Sequence, residues 1–278
     1  MNRSRRPLAF YVLAGFFGLY VLFLYGPTIT IAILSFQGPN GGLTFPMNGW
    51  SVHWFANLFQ PQLVGDFGGS LRRSLALGVM VMVGTVLISL AAGLAYRKRF
   101  GGDTVLFYLA IASLVVPSIL ISLGIGLMFS ALGLDPAWYS SAFGAQLTWT
   151  LPFGLLIMFA VFSRFDPAYE EASRDLGASH WQTFRHVLLP LIAPSVLGVA
   201  LFGFTLSYDE FARTMMTAGA LNTLPLEIYG MTTNITTPVL YALGTLTTAF
   251  SLIVILSCIV GVTWLQRRRA GTPAASGE

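Results

Sequence analysis

Charge is scarce in this sequence. Only 9% of its 278 residues are Asp, Glu, Lys or Arg, against about 25% in soluble domains. There is one lysine, Lys98, flanked by Arg97 and Arg99. A phosphate-binding loop needs Gly-Lys followed by Ser or Thr, so no nucleotide site of that kind is expected, and pyridoxal chemistry is equally unsupported. Neither Gly-x-Ser-x-Gly nor His-Glu-x-x-His occurs, which leaves hydrolase chemistry without a basis. The single cysteine, Cys258, lies in an apolar run and excludes an internal disulfide; it reads as a small buried apolar residue. His53, His180 and His186 lack ligand spacing, so no metal site is expected. No basic patch lies on a soluble segment, so nucleic acid is not an expected partner.

Apolar length is abundant instead. Hydrophobic residues make up 55% of the chain and the mean hydropathy is +0.73. A bilayer-spanning helix needs about 20 mostly apolar residues. Six runs are candidates: Ala9 to Leu34, Leu75 to Tyr96, Val105 to Leu132, Ser141 to Phe162, Leu191 to Leu206 (short but uninterrupted by charge) and Leu240 to Leu265. Pro117 and Pro152 fall inside two of them and predict kinks, with neighbouring helices re-satisfying the freed carbonyls. Gly78, Gly84, Ala91, Ala92 and Gly93 in the second run permit close helix approach. Arg3, Arg5 and Arg6 precede the first run. No small-residue cleavage site follows a short core, so a retained signal-anchor is expected rather than a cleaved peptide.

Placing the N-terminus in the cytoplasm puts 12 of the 15 Lys and Arg residues inside and leaves Arg72, Arg73 and Arg213 outside. That bias predicts both termini cytoplasmic. Arg72 and Arg73 then lie on an interfacial helix or snorkel to headgroups. The first outside loop, from about Ser35 to Ser74, is rich in Gly, Pro and aromatics. Residues 1–269 read as one transmembrane domain, and residues 270–278 as a small polar tail expected to be disordered. Asn234-Ile235-Thr236 matches a glycosylation sequon and is taken as chance.

The informative stretch lies between the fourth and fifth runs, from Asp166 to Pro194, on the predicted cytoplasmic side. Asp166 suits an N-cap and Pro167 the first helical position. Glu170 and Glu171 complement the helix dipole. Gly177 fits a left-handed helix end, and Ser179 with Gln182 forms a capping-box pattern. Two short helices with a turn between them are predicted. The residues alone leave two readings open: a docking elbow for a soluble partner, or an amphipathic interfacial helix.

The stretch resembles the "EAA" loop of ABC importer permeases, which runs Glu-Ala-Ala, three residues, Gly, nine residues, Ile-x-Leu-Pro. Here it reads Glu171-Ala172-Ser173, three residues, Gly177, nine residues, Val187-Leu188-Leu189-Pro190. Ser173 and Val187 depart conservatively from the pattern. Phe204 to Met231, the YRKRF stretch after the second run and the order of spans resemble spermidine/putrescine permease subunits. The resemblance implies an all-α polytopic membrane protein of the type I importer permease kind, with six transmembrane helices and a cytoplasmic coupling elbow at about 166–190. It implies a bacterial inner-membrane location. The implied partners are an ABC ATPase dimer carrying ATP and Mg, a second permease subunit, a periplasmic or extracellular substrate-binding protein and the lipid bilayer; this chain itself binds no cofactor. Glu171, Ala172, Ser173, Gly177, Val187, Leu189 and Pro190 would form the ATPase-coupling elbow, with Gly177 at a turn where a side chain would clash. Physical reasoning adds His180, Trp181 and Arg185 as contacts.

Tyr208, Asp209 and Glu210 close the fifth run. The acidic pair either draws a cationic substrate to the pathway or marks emergence into water. Adjacent helical residues point about 100° apart, so at most one need face the pathway. The resembling polyamine permeases are also acidic at this position, which favours a role for Asp209. The expected function is ATP-driven import of a polyamine or similar small cation. The alternatives are a gradient-driven secondary transporter, which would show intramembrane acid relays or inverted repeats, and a membrane scaffold, which leaves the elbow spacing unexplained.

Overall fold

The computed structural model describes residues 7–60, 65–98, 100–234 and 238–270. The basic residues Arg3, Arg5, Arg6 and Arg99, the tail beyond residue 270 and most of the sequon lie outside the described residues.

The described chain is helical. Its elements are α1 (Leu8–Leu34), α2 (His53–Asn57), α3 (Phe67–Tyr96), α4 (Asp103–Ala112), α5 (Ser118–Ala131), α6 (Ser141–Ser163), α7 (Ala168–Asp175), α8 (His180–Thr183), a π-helical segment (Phe184–Leu188), α9 (Leu189–Tyr208), α10 (Leu224–Asn234) and α11 (Val239–Ala270). By length and apolarity, five stretches among the described residues can cross a membrane: α1, α3, α6, the continuous helix His180–Tyr208, and Val239–Gly261 within α11.

The expected third span is not one helix. It is a pair, α4 and α5, separated by residues 113–117. Pro117 disfavours helical geometry at the residue before it and cannot donate to the carbonyl four residues back, that of Ser113. Here the expected kink is a break. Pro152 leaves α6 continuous. It strands the carbonyl of Thr148, and the Ser113 hydroxyl at the break lies 2.7 Å from that oxygen. The same hydroxyl lies 2.8 Å from Ala110 O. One proline's orphan is thus met by a side chain that another proline's break exposes.

The chain divides into two compact units, Met1–Phe67 with Ile228–Ser251 and Gly68–Glu227 with Leu252–Glu278. In the first, α1 leaves Phe16, Phe17 and Phe23 exposed, as a lipid-facing helix does. The loop after it is ordered around buried Gln37. Its Nε2 donates to Gly42 O at 3.2 Å, and its Oε1 accepts from the Asn48 N–H at 2.7 Å. Tyr241 Oη donates to Leu43 O at 2.8 Å.

The second unit has a core where α3, α6 and α9 meet. Met158, Phe162, Leu188, Ile192 and Val199 are buried there, with Val86, Leu90 and Leu94 of α3 against them. Small residues set the spacing, as expected for helices without a hydrophobic driving force between them. A Cβ on Gly154 would lie 2.9 Å from Ser89 Oγ. One on Gly203 would lie 3.1 Å from Met82 Cα. The α3 helix starts well before its apolar run and carries Arg72 and Arg73 in its first turns. Arg73 Nε donates to Asn222 O at 2.7 Å, so this arginine ties α3 to the segment before α10.

Candidate functional site

The elbow is built by local rules. Asp166 Oδ1 accepts from the Ala168 N–H at 3.0 Å, closing a turn across Pro167 that leads into α7. At the other end the Gly177 N–H donates to Arg174 O at 2.8 Å and the Ala178 N–H to Ser173 O at 3.1 Å. These are the two bonds of a Schellman motif, with Gly177 left-handed at φ 82°. Within the chain nothing lies within 4 Å of a Cβ built on Gly177. No clash arises within the chain, where the backbone angle is what calls for glycine. Ser179 Oγ accepts from the Gln182 N–H at 3.3 Å, while Gln182 Oε1 accepts from the Ser179 N–H at 2.8 Å. That completes the capping box.

The second arm is shorter than a separate helix. After α8 the chain passes through the π turn into α9 with no interruption. Pro190 has no N–H to close on His186 O, and the wide turn ends just before it. The arms are joined by the hydroxyls of Ser173 and Thr183, 2.7 Å apart. Ser173 stands where the resembling pattern has alanine, so this bond is a consequence of the departure. Glu170 faces inward and pairs with Arg97 of the α3 terminus, Nη1 to Oε1 2.6 Å. Arg174 lies 3.5 Å from the other oxygen. The Arg97 guanidinium also sits 5.5 Å from the Phe162 ring centroid and 5.4 Å from that of Phe165. This stacking is a cation–π arrangement.

The sequence-derived coupling residues divide by exposure. Glu171, Ala172, Gly177, His180, Trp181 and Arg185 are exposed; Ser173, Val187, Leu189 and Pro190 are half-buried. Leu176 is 89% exposed and Trp181 65% exposed. These are large apolar side chains presented on an otherwise charged elbow.

The other candidate group does not converge. Tyr208 is buried and stacks on Phe204, centroids 6.0 Å apart. Asp209 is exposed. It is the first residue beyond the span, and desolvation raises its carboxyl from the ordinary carboxylate range. Glu210 is half-buried, and its Oε1 accepts from the Arg213 N–H at 2.9 Å. Its carboxylate serves the local turn.

Sequence reasoning placed Arg213 among the outside charges. The structure buries it completely. Nη1 donates to Ser118 Oγ at 2.9 Å and Nε to Thr148 Oγ1 at 3.2 Å. The Trp149 ring centroid is 4.7 Å from the guanidinium carbon. Ser118 opens α5 and Thr148 lies inside α6, so the charge sits among the helices. The signal was available: Arg213 is the only Lys or Arg between Arg185 and Arg267. Serines from three helices serve the backbone between α9 and α10 and the first N–H of α10. Ser122 Oγ donates to Arg213 O at 3.0 Å, Ser141 Oγ donates to Thr217 O at 2.7 Å, and Ser74 Oγ accepts from the Leu224 N–H at 2.8 Å. Irregular backbone beside spanning helices needs such partners.

Spanning helices, a broken helix pair and a rigid elbow between the fourth and fifth apolar runs define a multi-pass permease. The chain belongs to the family of binding-protein-dependent transport system inner membrane components, whose model matches residues 84–270. It is an inner-membrane permease component of an ABC importer. The spermidine/putrescine transport system permease protein PotC of Escherichia coli (strain K12) is 28% identical over 245 residues, covering 87% of this chain and 90% of that protein. The putrescine transport system permease protein PotI of the same strain is 28% identical over 232 residues, 81% of each. A bacterial ABC transporter involved in the import of the acidic polysaccharide alginate has the same fold, at TM-score 0.65 and 16% identity, over 99% of this chain and 100% of that one. A MetNI methionine ABC transporter chain aligns at TM-score 0.55 and 17% identity, over 74% of this chain and 98% of that one.

Proposed function

We propose that this chain forms half of an import pathway for a polyamine or similar small cation and takes its energy from a separate ATPase dimer. Residues 166–190 are the docking elbow. Glu171, Ala172, Gly177, His180, Trp181 and Arg185 contact the ATPase. Ser173, Val187, Leu189 and Pro190 hold the elbow in shape and join it to α9. ATP and Mg belong to the partner. A second permease subunit completes the pathway, a periplasmic or extracellular binding protein delivers the substrate, and both termini are cytoplasmic.

One observation carries the coupling reading. The elbow is fixed by a Schellman turn, a capping box and the Arg97–Glu170 pair, yet it exposes Leu176 and Trp181. An interfacial helix would bury such residues in lipid along one continuous face. A bent, charged elbow with apolar tips suits a groove on a soluble protein. The substrate reading is supported by the names of the sequence relatives and by exposed Asp209 at the end of the fifth apolar helix.

Purification from native membranes in mild detergent, followed by mass spectrometry, tests the partners. A P-loop ATPase and a second permease should co-purify. Recovery of a stable chain alone, active in gradient-driven uptake, would contradict the proposal.

A further inference from the structure

The ends of α3, α4 and α6 line an open cleft of about 510 Å³, in which the import mechanism uses only Arg97, through its bond to Glu170. Its residues come from three surfaces: Gly93 and Tyr96 of α3 with Arg97 just beyond its end, Asp103 and Phe107 of α4, and Phe159 and Phe162 of α6, each helical pair three or four residues apart. Gly93 forms the floor. A Cβ there would meet the Phe162 ring at 2.7 Å, so glycine lets α6 close the base of the cleft.

The rings pack tilted against one another and leave apolar walls. Tyr96 and Phe159 have centroids 4.6 Å apart, and Phe107 and Phe159 5.2 Å apart. Two opposite charges line the same opening. Arg97 spends Nη1 on Glu170, but a guanidinium carries five N–H donors. Asp103 Oδ1 accepts from the Thr104 N–H at 2.5 Å and from its hydroxyl at 3.0 Å. A carboxylate has about four lone-pair sites, so acceptor capacity remains. Arg97, Lys98 and Arg164 follow directly on apolar helices, which places the opening where spans meet water. Aromatic rings with an apolar body and a polar edge occupy that level in membrane proteins.

We propose that this cleft binds one zwitterionic, primary-amine phospholipid, with its phosphate against Arg97 and its ammonium against Asp103. An anionic headgroup would meet the Asp103 carboxylate without a compensating cation. A free polyamine would meet the Arg97 guanidinium. A quaternary headgroup has no N–H to give Asp103, so a primary amine is preferred over choline.

The test uses the full chain with its co-purifying partners, in detergent, examined by native mass spectrometry. Phosphatidylethanolamine, phosphatidylcholine and phosphatidylglycerol of matched acyl chains are added in turn. Phosphatidylethanolamine should be retained about tenfold more strongly than either, the size of one charged hydrogen bond. Asp103→Asn should remove that preference, lowering phosphatidylethanolamine retention and raising that of phosphatidylglycerol, while Phe107→Ala weakens all three. The wild-type ranking decides the matter even if a variant fails to fold. Equal retention of the three lipids, an unchanged preference in Asp103→Asn, or displacement of the lipid by free putrescine would overturn the proposal.

Discussion

Arg97 and Glu170 are 73 residues apart in sequence, and their charged groups meet at 2.6 Å. The end of the α3 span thereby holds the first arm of the elbow. Both side chains are mostly buried, 22% and 14% exposed, so the pair is screened less than a surface bridge. Arg97→Ala should leave membrane insertion intact and lower coupled uptake by about tenfold, the scale of a charged hydrogen bond. The double swap Arg97→Glu with Glu170→Arg should recover part of the loss. Transport assays on the four variants of the cycle measure the coupling.

Gly177 separates two explanations of one residue. If only the left-handed backbone matters, Gly177→Ala strains the turn by about 1–2 kcal/mol and Gly177→Asn much less, because asparagine tolerates that region. If the space is needed for the partner, alanine and asparagine fail together. Recovery of the ATPase with each variant is the readout, and the open surroundings of Gly177 within the chain predict the first pattern for the folding of the elbow.

The Ser113 hydroxyl and Pro152 form a pair testable by repair. Ser113→Ala leaves Thr148 O without its donor and should cost about 1–3 kcal/mol, seen as a lower Tm in detergent. Pro152→Ala supplies a helical N–H to the same carbonyl. Added to Ser113→Ala, it should restore most of the lost stability. Simple additivity of two destabilising changes would refute this account of the break.

Arg213→Lys should destabilise the protein nearly as much as Arg213→Met. A lysine ammonium cannot reach Ser118 and Thr148 in the fork geometry while lying over Trp149. Thermal unfolding of the purified variants ranks them. A lysine variant equal to wild type would mean that only the charge counts.

Asp209 carries a sign for pH. Its raised carboxyl protonates at higher pH, on acidification, than an ordinary aspartate. If this carboxylate attracts the substrate, cation uptake should fall early as the outside is acidified. Asp209→Asn should lower uptake and flatten that part of the profile. Identical profiles in the two proteins would assign Asp209 to emergence into water.

What was legible in sequence was local. Apolar runs located the spans, and the positions of Asp166, Gly177, Ser179 and Gln182 specified the elbow, because caps and turns act over a few residues. The N-terminal extension of α3 was hidden, because Arg72 and Arg73 read as an interface while one of them is paired with Asn222. Pro117 was read as a kink, since nothing nearby in sequence reveals that Ser113 is occupied across the bundle. Arg213 counts in sequence only as one of three outside charges, and its burial is hidden for the same reason: Ser118, Thr148 and Trp149 lie 64 to 95 residues away and meet it only in the fold. Long-range polar contacts between helices leave no periodic signal.

Reconstitution in proteoliposomes tests the central claim most directly. The chain, its co-purified partners and the binding protein are assembled, and labelled putrescine uptake is followed with ATP supplied or with an imposed ion gradient. ATP-dependent accumulation that is lost without the binding protein, and no uptake from the gradient, is the predicted result. Accumulation by this chain alone on an ion gradient, indifferent to ATP, would contradict it.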